Sequence, residues 1–317
     1  MTAHFISAEQ VHAKLPALDL VNQLKQAFAS DIETPMRQHF DIANPDSERE
    51  TTLLMMPSWQ SGKDIGIKLV TVVPDSYKYD LPSIKGVYVL INAVTGQVKA
   101  TIDAPALTAK RTAAASALAS SFLSRADSRS LLIIGTGTLS SELIAAHCAV
   151  RPIERVLVWG RNSEKAAAVV NRVKHLPVEV TAVEDLDGAI ASVDIISCAT
   201  MSIDPLIKGK LLKAGQHLDM VGAYRPDMRE ADDDCLLRSR LVVDNYQGAL
   251  KETGDLAIPL KNGVISKENV EADLFELCKK QKQFVRDEQD ITFFKSVGHA
   301  LEDLAAAQLL VSNLGDL

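Results

Sequence analysis

Leu131-Leu132-Ile133-Ile134-Gly135-Thr136-Gly137-Thr138-Leu139-Ser140 is the stretch whose reading decides the fold. An apolar run reads as a buried strand. It ends on two glycines one residue apart, ahead of a helical pattern that extends to about Val150. The first glycine suits a tight turn, and the second lets a pyrophosphate approach backbone N–H groups at a helix N-terminus. Ser140 stands where a third glycine is usual and is small enough for close helix–strand packing. Gly135, Thr136, Gly137, Thr138 and Leu139 are therefore candidate dinucleotide contacts. The motif alone is weak, because a glycine turn in an α/β protein needs no nucleotide; its place between a strand and a helix gives it weight.

Outward from this turn the pattern is strand then helix. Residues 156–159, 178–183, 194–199, 217–222 and 241–244 are short apolar or mixed runs separated by helix-forming stretches such as 163–174. Such alternation predicts a Rossmann-type doubly wound parallel sheet. Ala199 and Thr200, at the end of one of these runs, join the candidate cofactor contacts. The second strand ends Val158-Trp159-Gly160-Arg161-Asn162, with no carboxylate where an NAD site usually places one for the ribose 2′-hydroxyl. Arg161 suits a 2′-phosphate instead, with Asn162 beside it, so NADPH is favoured and NADH remains an alternative. The plain alternative for Arg161 is a solvated loop arginine.

Before residue 125 the pattern differs. Residues 65–73, 86–92 and 98–103 are rich in β-branched side chains, and the last two flank Thr95-Gly96, which reads as a hairpin. One opening helix is expected from Ser7 through Phe28, on the spacing of Val11, Leu15, Leu18, Val21, Leu24 and Phe28. Three cations stand out. Arg37 precedes Gln38-His39-Phe40, Lys68 shares a strand face with Gly66 and Val70, and Arg111 is expected in the first turn of an alanine-rich helix. A cation there opposes the helix dipole, and a bound anion would offset this. Each alone reads as a surface charge; beside a dinucleotide domain they suggest a pocket for a small carboxylate.

Bulk composition limits the rest. The 317 residues carry net charge −7, 47% hydrophobic and 24% charged residues, enough for two cores and without a broad basic face for nucleic acid or anionic membrane. No apolar run approaches the ~18–20 residues of a membrane span, and none resembles a signal peptide. Cys148, Cys198, Cys235 and Cys278 are widely spaced and read as buried thiols in a cytoplasmic protein. The seven histidines show no metal spacing, so no metal is expected.

Taken in order, these residues resemble the ornithine cyclodeaminase/mu-crystallin family over nearly the whole chain. The resemblance rests on Arg37, on Gly66-Ile67-Lys68 followed by Pro74, on Thr108-Ala109-Lys110-Arg111-Thr112-Ala113-Ala114-Ala115-Ser116, and on the glycine turn. It continues in Gly222-Ala223-Tyr224-Arg225-Pro226-Asp227-Met228-Arg229-Glu230, Glu252-Thr253-Gly254-Asp255 and Phe294-Lys295-Ser296-Val297-Gly298-His299-Ala300-Leu301-Glu302-Asp303. It implies a homodimer built through an α+β substrate-binding and dimerisation domain, residues 1–124 and 295–317, interrupted by a Rossmann domain, residues 125–294. It also implies a substrate carboxylate held by Arg37, Lys68 and Arg111, and a Ser296-Val297-Gly298 segment that closes over the nicotinamide. The plain alternative for that segment is a helix start capped by Ser296.

Members of the family that deaminate ornithine carry an aspartate where this chain has Tyr224. A phenol, with reference pKa about 10, is a poor general base near neutrality. Asp219 and Asp227 would not point as the missing aspartate does and read as structural. The Arg225-Pro226-Asp227 stretch resembles the mu-crystallin branch, which implies reduction of cyclic ketimines, 1-pyrroline-2-carboxylate to proline and 1-piperideine-2-carboxylate to pipecolate. Lys68 is the catalytic candidate, as carboxylate contact or proton relay. The alternatives are a cyclodeaminase, an amino-acid dehydrogenase, and a non-catalytic NADPH-dependent binder of small ligands. His39, His217 and His299 read as surface or structural histidines, Asp303 as solvent-facing or locally paired, and the Glu230–Asp234 acidic run as a helix start without a function.

Overall fold

The computed structural model describes residues 4–47 and 49–315, in two compact units. One takes the described residues up to Arg111 and from His299 onward; the other is Thr112–Gly298.

The first unit opens with strand β1 (His4–Ile6) and helix α1 (Ala8–Lys14), whose N-terminus is closed by a reciprocal capping box between Ser7 and Gln10. Helix α2 (Ala17–Ala29) follows. The single helix expected over 7–28 is thus two. Pro16 disfavours helical backbone at the residue before it, and Leu15 accordingly sits at φ −116°, ψ 82°. Strands β2 (Gln38–Ile42), β3 (Thr51–Gln60), β4 (Asp64–Val72), β5 (Ile84–Asn92) and β6 (Val98–Asp103) come next, then helix α3 (Ala104–Leu123). Among the described residues they form a six-stranded sheet of order β1-β6-β5-β4-β3-β2, antiparallel except for β1 beside β6. The hairpin at Thr95-Gly96 is present, with Gly96 at φ 72°.

Strand β3 has no clear alternation in sequence and contains Pro57, which argues against a paired strand. The register explains its tolerance. Pairing with β2 ends at Met55, so the N–H that Pro57 lacks interrupts no ladder on that side. In β4, Asp64, Gly66, Lys68 and Val70 face inward, while Ile65, Ile67 and Leu69 lie half-buried on the other face.

The second unit alternates strand and helix: β7 (Ser130–Ile134), α4 (Thr138–Val150), β8 (Arg155–Trp159), α5 (Ser163–Arg172), β9 (Glu179–Val183), α6 (Leu186–Ile190), β10 (Ile195–Cys198) and β11 (His217–Met220). It continues through α7 (Asp233–Leu237), β12 (Ser239–Val243), α8 (Tyr246–Glu252), α9 (Gly254–Lys261), β13 (Val270–Asp273), α10 (Leu274–Cys278) and β14 (Ile291–Lys295). The eight strands are parallel, in the order β13-β12-β14-β11-β10-β7-β8-β9. From β7 the chain runs outward through β8 and β9, then returns to lay β10 on the opposite side of β7. That reversal is a topological switch point, where doubly wound sheets bind ligands at the carboxyl ends of their strands.

Helix α11 (Ala300–Leu314) returns to the first unit and packs on α2, β3 and β4. The spacing of residues 298–311 predicts an amphipathic helix, and the structure corrects this. Residues 300–307 are all buried, Glu302 and Asp303 among them. The fold is therefore α/β: a Rossmann-type doubly wound sheet plus an α+β unit. Cys198, Cys235 and Cys278 are buried, Cys148 is half-buried, and all four are unbridged. Among the described residues no helix is long and apolar enough to cross a membrane, and no His, Cys, Asp and Glu side chains gather as a metal site would need.

Candidate active site

In the second unit the glycine turn meets the switch point. Gly135 has φ 129°, and a Cβ there would lie 2.7 Å from the Ala199 carbonyl oxygen, so no other residue fits without moving the strand ends. Gly137 is the N-cap of α4 and offers no side-chain cap, and a Cβ on it would point into open space. The Ser140 hydroxyl donates to the Gly135 carbonyl at 3.0 Å and is fully buried, which ties the helix to the turn. Thr138 and Leu139 open the first turn of α4, where backbone N–H groups lack helical partners. An uncapped helix end, an open approach over Gly137 and a backbone that excludes side chains at Gly135 together fit a pyrophosphate.

Around this turn the other cofactor candidates divide. A Cβ at Gly160 would land on the Thr136 methyl, so Gly160 and Thr136 pack face to face. Arg161 is exposed beside them. Asn162 already has structural work: its side-chain oxygen caps α5 by accepting from the Lys165 N–H at 2.9 Å. Asp244, after β12, draws in the Val297 and Gly298 N–H groups at 2.7 and 2.8 Å and the Ser296 hydroxyl at 3.3 Å. Ser296 is thus not the cap of α11; His299 is, through Nδ1 accepting from Leu301.

Thr200 is held by Glu230, whose Oε1 accepts from the Thr200 N–H at 2.6 Å and its hydroxyl at 2.8 Å. This corrects the expectation for the acidic run. Asp232 does cap α7, but Glu230 is fully buried, facing Lys295 at 3.9 Å, and Lys295 pairs with Asp255 at 2.9 Å and with the Gly222 carbonyl. Burial, with the Asp255 charge adding to it and Lys295 opposing, raises the Glu230 carboxyl to about 7. Ala223, at φ 48°, turns the chain so that Tyr224 is exposed. Asp219 is fully buried on β11, accepting from Ser197 at 2.6 Å and facing His147 at 3.2 Å, while Asp227 pairs in the open with Arg225. Both carboxylates are thus already engaged within the protein.

In the first unit the structure brings Lys68 and Arg111 together. Arg111 lies two turns into α3 rather than in its first turn, so the dipole cost expected there does not arise. The pair converges on two carboxylates of α11. Asp303 receives Arg111 Nε at 3.0 Å through one oxygen and pairs with Lys68 Nζ at 2.7 Å through the other. Glu302 takes Arg111 Nη1 at 2.6 Å. Asp303 is therefore neither solvent-facing nor locally paired, and it is fully buried. Lys68 Nζ also lies 3.5 Å from the Thr108 hydroxyl.

Burial lowers Lys68 to about 8 and Asp303 raises it in opposition; the charges of Arg111 and Arg37 lower it further. Arg37 is half-buried just before β2, and its charge also depresses His299, which burial chiefly holds down at about 4. All three cations thus belong to one electrostatic cluster. His39, by contrast, is exposed on the edge strand β2. What the sequence did not single out was the counter-charge. Its one visible trace was an adjacent Glu-Asp pair opening a helix rich in alanine and leucine.

Comparison with known proteins gives a consistent picture. The family model for "Ornithine cyclodeaminase/mu-crystallin family" matches residues 1–316. A Delta(1)-pyrroline-2-carboxylate reductase of Colwellia psychrerythraea is 39% identical over 314 residues, 98% of this chain and 99% of its own. The solved structure of the Thermococcus litoralis Delta(1)-pyrroline-2-carboxylate reductase in complex with NADH and L-proline superposes with a TM-score of 0.91 at 31% identity, covering 98% of this chain and 97% of that one. An archaeal alanine dehydrogenase dimer with bound NAD gives 0.89 at 25% identity, covering 99% and 96%. With its glycine turn, its buried cation pair and a match from one end to the other, the chain belongs to the ornithine cyclodeaminase/mu-crystallin family.

Proposed function

We propose that the protein is an NAD(P)H-dependent reductase of cyclic ketimines, converting 1-pyrroline-2-carboxylate to proline and 1-piperideine-2-carboxylate to pipecolate. The observation that carries this reading is the Lys68–Arg111 cluster, together with an exposed Tyr224 where a deaminating member has its aspartate. The pyrroline-2-carboxylate reductase relatives, one solved with NADH and L-proline, support it.

Arg37, Lys68 and Arg111 share one electrostatic cluster with the Glu302 and Asp303 carboxylates, and cations gathered in this way suit a carboxylate substrate. Arg37, Lys68 and Arg111 bind the substrate carboxylate and fix the ring. Lys68, buried and titrating near 8, is largely an ammonium at neutral pH, yet close enough to neutrality to give up its proton. It delivers that proton to the imine nitrogen, and the neutral amine is recharged from water. When bound, the reduced nicotinamide supplies a hydride to the imine carbon. Gly135, Thr136, Gly137, Thr138 and Leu139 hold the pyrophosphate, with Ala199, Thr200 and Ser296-Val297-Gly298 toward the nicotinamide. Arg161 and Asn162 take the ribose end, and NADPH is the preferred form because Arg161 stands where no carboxylate does.

The reading extends to assembly. The outer face of the first sheet presents Ile65, Ile67, Leu69, Val87 and Val89 half-buried, with Phe40 and Ile42 exposed at its edge. An apolar face of this kind suits a homodimer built through the first unit. The unbridged cysteines suit the cytoplasm. The test is a cofactor-oxidation assay with both imines, NADPH and NADH in parallel. Turnover with at least one imine, faster with NADPH, is expected. Release of ammonia from ornithine without oxidation of either cofactor by either imine would overturn the assignment.

A further inference from the structure

Lys68 sits in surroundings that mostly favour its neutral form. It is 4% exposed, Arg111 of α3 lies beside it, and Arg37 ahead of β2 repels its charge. Across the ladder stands Tyr88 of β5, whose hydroxyl burial keeps protonated, so it brings no negative charge. His299, before α11, is held neutral by burial. Asp64, on the same strand and face, is engaged by Lys99 at 2.5 Å and Gln308 at 3.0 Å, and Glu302 is engaged by Arg111. Thr108 offers a hydroxyl without charge. The carboxylate in contact with the Lys68 ammonium is that of Asp303.

We propose that Asp303 is a positioning residue for the reaction, holding the proton on Lys68 and aiming its ammonium. This rests on the reading of Lys68 as proton donor. Asp303 is suited to the role in three ways. Its two oxygens are divided between a hydrogen bond from Arg111 Nε and an ion pair with Lys68 Nζ at 2.7 Å, which holds the ammonium beside a carboxylate that Arg111 anchors. It lies in the first turn of α11, where the helix end favours negative charge. It is fully buried, so water does not screen the pair. Without it, the guanidinium charges and burial would act on Lys68 without that opposition, and at pH 7 half or more of the amine would be neutral, with no proton to give.

The experiment is a titration of the full-length protein labelled at lysine Cε with carbon-13, with Lys68 assigned by Lys68→Met, alongside pH profiles of kcat for imine reduction. In the wild type Lys68 is expected to titrate below other lysines, and the basic limb of kcat to follow it. Asp303→Asn lowers both by about one pH unit or more. At acidic pH, where the imine is itself protonated, it recovers much of the wild-type rate. Glu302→Gln, which removes an equally buried charge from Arg111 rather than from Lys68, moves both by less. Asp303→Ser provides a second neutral side chain if Asp303→Asn does not fold. An equal loss of rate at every pH, with the Lys68 titration unmoved, would overturn the proposal, as would a wild-type Lys68 that titrates with the surface lysines. If the wild type reduces neither imine, the functional reading fails, and the Lys68 resonance still reports whether Asp303 holds its proton.

Discussion

A methyl group at position 135 meets the Ala199 carbonyl oxygen at 2.7 Å on a backbone that L-residues rarely adopt. Gly135→Ala should therefore weaken NADPH binding at least about tenfold, by calorimetry, while helix content is retained. Unchanged affinity would show that the turn does not carry the pyrophosphate. Arg161 gives a sharper test, because it is exposed and its removal disturbs no packing. Arg161→Ala should raise the KM for NADPH about tenfold and leave that for NADH nearly unchanged, the loss of one charge-assisted contact. Gly135 and Lys68 stood out in sequence because each announces itself locally, as a glycine in a turn or a charge in an apolar strand. Asp303 and Glu230 were not. Asp303 owes its meaning to Lys68 and Arg111, far away in the chain, and Glu230 was hidden among neighbours such as Asp232 that do cap α7.

At the scale of elements, the strands around the glycine turn were readable from their apolar runs, and the β5–β6 hairpin from Thr95-Gly96. Helix α11 was readable as a helix but not as a core element, because the expected polar face does not exist: Glu302 and Asp303 turn inward to cations instead. Leu304, next to them, is fully buried, and its Cδ1 lies 3.1 Å from where a Cβ on Gly66 would be. Leu304→Ala should cost about 2–5 kcal/mol in urea unfolding of the first unit, the range for a leucine removed from a packed core. A cost below about 1 kcal/mol would mean that α11 is loosely seated. Strand β3 was not legible, because its run lacks alternation and holds Pro57, which the end of the β2 pairing makes harmless.

For the whole molecule, two buried histidines set an acid limit. Burial holds His217 down at about 3 and His299 at about 4, against an ordinary value of 6.5. Both are neutral in the folded chain, whereas the unfolded chain takes up protons as pH falls through 6.5. Stability from this source is complete above that pH and declines toward pH 4 by a few kcal/mol. Glu230, raised to about 7, works the other way between 7 and 4.5, but it is one group against two. The depressed carboxyls of Asp219 and Asp303 add their own loss only below their ordinary value of 3.8, outside this window. The melting midpoint should therefore fall between pH 7 and pH 4.5; a midpoint that holds or rises would contradict this balance. Assembly is tested separately by Ile67→Asp, a charge on the half-buried outer sheet face, which should convert a dimer to a monomer in sedimentation. A wild type that is already monomeric would remove that part of the reading.

The return of α11 to the first unit also bears on synthesis. Lys68 and Arg111 leave the ribosome long before residues 302 and 303, and until then two cations destined for burial have no counter-charge. The second unit is likewise completed late, since β14 lies in the middle of its sheet and ends at Lys295. The Lys68–Arg111 pair is thus the last part of the first unit to be completed, because its counter-charge arrives only with the final helix.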